Sequence, residues 1–135
     1  MNKPELLSPV ADFTMLEAAI EGGCDAVYFG AKTLNMRAAA KNFELSELKK
    51  VVERCHSANV RAFLTINTIV YEDELEKVNQ VLEYAKDAKI DAIIAWDMAV
   101  VSLALEMGLE THLSTQASVS NSTAAEYYAK LGIKR

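Results

Sequence analysis

Three observations predict an α/β fold built on a parallel sheet. Five short β-type runs alternate with five amphipathic helical runs along the chain. The β-type runs are almost continuously apolar, as strands covered on both faces are. The units also resemble one another. GGCDAVYFG and AKIDAIIAWD share a D-A-[VI] core after a helix end, and ANVRAFLTIN and MGLETHLST follow the same small-residue-then-strand plan. Repetition of this kind favours the (β/α)8, or TIM, barrel. A five-stranded doubly wound sheet of the flavodoxin-like kind is the alternative, since it also uses five units.

The elements follow in order. Glu5 to Val10 is a short, mostly apolar first strand. Phe13, Leu16, Ala19 and Ile20 fall at helical spacing, with Asp12 placed to cap the start. AVYFG, from Ala26 to Gly30, is β-branched and aromatic and predicts the second strand. Leu45, Leu48, Val52 and Cys55 form the apolar stripe of a second helix. VRAFLTI, from Val60 to Ile66, is the third strand. Glu72 to Lys89 is the third helix, with Leu75, Val78, Leu82 and Ala85 on one face. Glu72, Asp73 and Glu74 in its first turn suit the helix dipole. AIIAW, from Ala92 to Trp96, is the fourth strand and Met98 to Met107 the fourth helix. Thr111 to Ser114 is the fifth strand and Ser122 to Leu131 the fifth helix.

At 135 residues the chain holds one domain with a sizeable core. A complete eight-unit barrel needs roughly 250 residues. AKLGIKR repeats the helix-exit pattern that precedes the earlier strands, so a sixth strand is expected to begin there. The expected architecture is therefore a partial TIM barrel, residues 1–135 forming the N-terminal part of a single domain. Such a part-barrel has open strand edges through which it is expected to self-associate. No apolar run approaches the roughly 18 residues of a membrane span. MNKPELLSPV lacks a signal-peptide core, which makes a cytoplasmic location the expectation. Cys24 and Cys55 stand apart with no CxxC spacing and read as buried free thiols. The net charge of −5 argues against a dedicated nucleic-acid coat and leaves room for a local basic patch.

In parallel α/β folds the working residues lie at the carboxyl ends of the strands and in the loops that follow. That filter collects Ser8 and Pro9, the loop after Gly30, Asn67 and Thr68, Asp97, and then His112, Ser114, Thr115 and Gln116. His112, Ser114 and Gln116 alternate and are expected to share one face, a polar stack that is costly to bury without partners or ligand. His112 is the candidate acid or base. Asn67 reads equally as a turn residue, Asp97 as the cap of the fourth helix, and Asn121 or Ser122 as the cap of the fifth. His56 lies on a helix away from the rim. Lys32, Arg37 and Lys41 occur with no acid between Ala31 and Phe43, a local positive field suited to a carboxylate or phosphate, with Arg37 able to make bidentate contacts and Asn35 beside it. The chain has no GxGxxG, P-loop, HExxH or GxSxG motif, and no metal-ligand spacing among its His, Cys, Asp and Glu. Nothing links Ser8, Ser114 or Ser118 by motif to a histidine and an acid.

The segments KPELLSPVADFTMLEAAIEGGCDAVYFG, LNMRAAAKNF, LTINTIVYEDEL and HLSTQASVSNS closely resemble the collagenase-like peptidase family of unknown catalytic type, peptidase family U32. The resemblance runs in order over essentially the whole chain, and NMRA and HLSTQAS are its most specific parts. It implies a TIM-barrel region and two function classes. One is a peptidase, a hydrolase named from collagen-degrading members. The other is an iron–sulfur-dependent, oxygen-independent hydroxylation factor acting on RNA or a quinone precursor. In the second class a [4Fe-4S] cluster is held by cysteines beyond this region, and Cys24 and Cys55 do not match them, so no cofactor is expected in this chain alone. The residues the resemblance carries over are Asn35 and Arg37, Asn67, and His112, Ser114 and Gln116, with ligand binding as their role; Asp97 joins them from the strand-end argument. The expected ligand is a peptide, an RNA or a small anionic substrate.

Overall fold

The computed structural model describes residues 3–32 and 42–135. Five strands, β1 (Leu7–Pro9), β2 (Ala26–Gly30), β3 (Arg61–Ile66), β4 (Ala92–Ala95) and β5 (Thr111–Leu113), alternate with five helices. The helices are α1 (Phe13–Glu21), α2 (Leu48–Ser57), α3 (Leu75–Asp87), α4 (Met98–Glu106) and α5 (Ser122–Lys130). Each strand pairs in parallel with its successor, giving the order β1-β2-β3-β4-β5. A flavodoxin-like sheet would run 2-1-3-4-5, so the sequential order removes that alternative and leaves the partial barrel.

The two faces of the sheet confirm this. Val27, Phe29, Ala62, Leu64, Ile66, Ile93 and Ala95 pack in one cluster with Leu16 of α1, Val51 of α2, Val78 of α3 and Val100 of α4. Helices therefore cover one face. The alternate residues, Ala26, Phe63 and Ala92 with Leu7, Tyr28 and Ile94, form a separate small cluster on the other, concave face. Period-two alternation puts neighbours in the chain on opposite faces.

Local signals account for the elements. Asp12 Oδ1 accepts from the Met15 N–H at 2.9 Å and starts α1, Asp97 starts α4 through the Ala99 N–H at 2.9 Å, and Asn121 Oδ1 starts α5 through the Ala124 N–H at 2.9 Å. Each helix is left through a residue with positive φ: Gly23, Asn59, Lys89, Gly108 and Gly132. That left-handed exit turns the chain back toward the next strand. The third helix begins with a 3-10 turn at Glu72–Glu74 before α3 proper, a tightening common at helix starts.

The D-A-[VI] repeat has a physical role. Asp25 Oδ2 accepts from the Leu6 N–H at 2.7 Å, and Asp91 Oδ2 accepts from the Ala62 N–H at 2.7 Å. Each aspartate precedes its strand and ties it to the start of the strand before. His56 Nε2 also meets Asp91 Oδ2 at 2.9 Å, joining α2 to the same clasp. Glu5 pairs with both Arg61, the first residue of β3, and Arg135, beside β5. On a flat sheet, five spacings of about 4.8 Å would hold residues beside β1 and beyond β5 roughly 24 Å apart. The Glu5–Arg135 pair therefore requires the sheet to be curled. Residues 133–135 run along the outer side of β5, where the Lys134 N–H donates to the Thr111 carbonyl at 3.1 Å and the Leu113 N–H to the Arg135 carbonyl at 2.6 Å. The sixth-strand position expected from AKLGIKR is occupied in this way.

Asp91→Ala leaves the Ala62 N–H without its carboxylate and is expected to cost about 1–3 kcal/mol, seen as a lower urea midpoint with an unchanged m-value. The hydrogen bond from the Leu6 N–H, reinforced by Lys3, holds the Asp25 carboxyl below its ordinary value, and the Arg54 guanidinium does the same for Glu17. A carboxyl depressed by folding stabilises the fold above its unfolded pKa and loses that contribution as pH falls through the folded value. Stability is therefore expected to drop below about pH 4, and Asp25→Asn to flatten that acid limb in denaturation measured across the range.

Candidate ligand site at the strand ends

The concave face opens into a cavity of about 480 Å³. Leu7, Tyr28, Ile94 and Leu113 supply its apolar wall, Thr65, Asn67, His112, Ser114, Thr115 and Gln116 its uncharged or imidazole hydrogen-bonding groups, and Arg135, paired with Glu5, a cation at its border. This is a pocket of ordinary ligand size with a few convergent polar groups on an apolar surface. A second cavity, of about 470 Å³, lies on the other side of β5 against α5 and is bordered by Val119, Tyr128 and Ile133. Its lining is that of a packing groove along a strand edge.

Of the residues singled out from the sequence, Asn67, His112, Ser114 and Gln116 come together on the cavity. Their route there differs from simple alternation. β5 ends at Leu113, and a 3-10 turn follows at Thr115–Ala117. Ser114 Oγ caps that turn, accepting from the Gln116 N–H at 3.4 Å, and donates to Gln116 Oε1 at 3.1 Å. Gln116 thus reaches the cavity through a turn and not as the next strand residue. Ser118, at φ 52°, reverses the chain toward the cap of α5.

Asn67 is held at the mouth through its backbone, whose carbonyl accepts from Trp96 Nε1 at 2.9 Å. Asp97 stands apart from the cavity lining. Its Oδ1 caps α4, and its Oδ2 accepts from the Val70 N–H at 3.0 Å. Both oxygens fasten the loop after β3 to the end of β4, so Asp97 shapes the rim. Asn35, Arg37 and Lys41 lie outside the described residues. Lys32, the remaining member of the expected positive field, is paired with Glu44, whose carboxylate offsets its charge. That pairing raises the Lys32 pKa, and the field expected from residues 31–43 is weaker at that point than the local charge count suggests.

His112 is the most enclosed polar group of the site, 5% exposed. Its ring meets Phe63 edge to face, with centroids 4.8 Å apart, and its Nε2 lies 2.9 Å from Glu110 Oε1. Sequence reasoning missed Glu110, Tyr28, Thr65 and Phe63. The signal for Glu110 was present: it stands two residues before His112, the spacing that shares a strand face.

Cys24 and Cys55 sit in the apolar layer between sheet and helices, not on the concave face. Burial pushes both thiols up, Cys55 to about 12. A cluster needs thiolates, so these two side chains do not fit one. Among the described residues, no three His, Cys, Asp or Glu side chains assemble as metal ligands, and no helix is long and apolar enough to cross a membrane.

Fold and cavity together define a partial parallel βα barrel with a cavity at the carboxyl ends of its strands. The chain belongs to peptidase family U32, whose model matches residues 11–135. An uncharacterised protease of Methanocaldococcus jannaschii is 48% identical over 93% of this chain. A collagenase of Porphyromonas gingivalis is 42% identical over 96% of it, and tRNA hydroxylation protein P of Helicobacter pylori 35% identical over 100%. The chain spans about a third of those relatives, 31%, 32% and 33% of their lengths. A solved structure of a U32 peptidase superposes with a TM-score of 0.74 at 18% identity, over 97% of this chain and 56% of that one, and shows the same fold.

Buried thiols with raised pKa react slowly. In the native protein at about pH 8, Cys24 and Cys55 are expected to resist a thiol reagent such as DTNB, and both are expected to react at once in denaturant. Rapid native labelling of Cys55 would place it elsewhere than in the apolar layer.

Proposed function

We propose that this chain forms the substrate-binding wall of an RNA-modifying U32 enzyme and that the concave cavity receives a single nucleobase. The observation that carries this reading is the lining: hydrogen-bonding side chains, Asn67, His112, Ser114 and Gln116, beside the apolar surface of Leu7, Tyr28 and Ile94, with Arg135 at the border held by Glu5. Enzymes that act on a base take it out of the stack, bind it against apolar or aromatic side chains and read its edge by hydrogen bonds. Among the described residues, Lys32 and Arg135 are each held by a carboxylate, which offsets their attraction for a phosphate. The name of the Helicobacter pylori relative agrees with an RNA substrate. In this reading the redox chemistry belongs to an iron–sulfur cluster bound by other cysteines of the full-length enzyme, and this chain binds and orients the substrate.

A peptidase is the second reading, favoured by the Glu110–His112 pair, an acid beside a candidate base, and by the relatives named as protease and collagenase. Amide and hydroxyl groups hold a peptide backbone as readily as a base edge. Hydrolysis, however, needs an activated nucleophile, and the Ser114 hydroxyl donates to Gln116 instead of His112.

Gln116→Ala and Asn67→Ala are expected to weaken binding of single-stranded RNA about tenfold each, equivalent to about 1.4 kcal/mol, with thermal midpoints little changed. Fluorescence anisotropy with a labelled oligonucleotide reads this. Unaltered RNA affinity in both variants, together with gelatin cleavage that disappears in His112→Ala, would favour the peptidase.

A further inference from the structure

We propose that Glu110 is the positioning residue of the concave site: its carboxylate fixes the tautomer of His112, so that the imidazole meets a ligand through the lone pair of Nδ1. The inference rests on reading this cavity as the ligand site. Glu110 Oε1 lies 2.9 Å from His112 Nε2. An ionised carboxylate only accepts hydrogen bonds, so Nε2 carries the hydrogen and Nδ1 is left as the acceptor.

The surroundings make the arrangement durable. The His112 side chain is 6% exposed, whereas that of Glu110 is 45% exposed. The acid thus stays partly hydrated while one oxygen reaches a buried ring. Phe63 braces that ring edge to face. The backbone carbonyl of Glu110 accepts from the Ile93 N–H at 2.8 Å, so the acid is tied to β4 one residue before β5 begins.

Recognition follows from the tautomer. A neutral His112 with Nδ1 free of hydrogen accepts from a ligand N–H or O–H and repels a bare carbonyl oxygen. The site therefore selects a group that brings a donor, and the same nitrogen is the one able to take a proton from it.

The test is a long-range proton–nitrogen correlation spectrum of ¹⁵N-labelled protein at about pH 8, in which the nitrogen shifts report directly which ring nitrogen carries the hydrogen. The chain has two histidines, so His56→Ala leaves His112 as the single imidazole of the chain. The expected result is the Nε2–H pattern with Glu110 present. Glu110→Ala, and Glu110→Leu whose side chain offers Nε2 no acceptor, should both give mixed tautomers at a similar thermal midpoint. An Nδ1–H pattern in the protein carrying Glu110 overturns the proposal, and so does an unchanged Nε2–H pattern in the variants. Should Glu110→Ala fail to fold, Glu110→Leu decides alone. The spectrum needs no ligand, so its failure is distinct from failure of the RNA-binding test.

Discussion

A helix stands between every two strands of this chain, so each strand must run the same way as the one before it. Parallel pairing is what the remainder of the structure depends on. It brings Gly30, Asn67, Trp96 and Ser114 to one end of the sheet, although 84 residues separate the first from the last. It also leaves the alternate side chains of every strand facing a common concave surface. Covering the opposite face with all the helices is what makes one side core and the other side site.

Curvature turns that surface into a cavity. The Glu5 carboxylate takes a guanidinium from the start of β3 and another from beside β5, and the aspartates before β2 and β4 draw each strand onto its neighbour. Arg135, one end of these contacts, also borders the cavity. At the rim, the loop after β3 is fastened by Trp96 and Asp97. Asn67 and the turn at Thr115–Ala117 therefore stand on a braced frame, the condition for a binding group to hold its geometry without paying to order itself.

The chemistry of the site is uneven across the sheet. Inward positions of β2, β3 and β4 are mostly apolar, with Thr65 donating to the Phe29 carbonyl at 3.0 Å. β5 and the residues flanking it carry the polar burden: Glu110 just before the strand, His112 within it and Ser114 just after it. A buried imidazole is costly without a partner, and Glu110 supplies one. The strand that brings the most polar residues to the concave face is also the one whose following turn delivers Gln116.

Much of this was legible in the residues. Alternating periods identified all five units, Asp12 and Asn121 announced their helices, and the strand-end rule selected Asn67, His112, Ser114 and Gln116. These are local properties: propensity, capping and alternation act over a few residues, and parallel connection follows from them. Asp97 was legible as a cap, but its second oxygen binds a residue 27 positions away, which no local pattern encodes. The same holds for Lys32, whose apparent share in a positive field is offset by Glu44 across the loop. The order of the strands, the curl that places Arg135 against Glu5, and the partners of each polar side chain were decided by tertiary structure alone. Ion pairs and hydrogen bonds between distant residues depend on distance in space, and only the packed chain sets that distance.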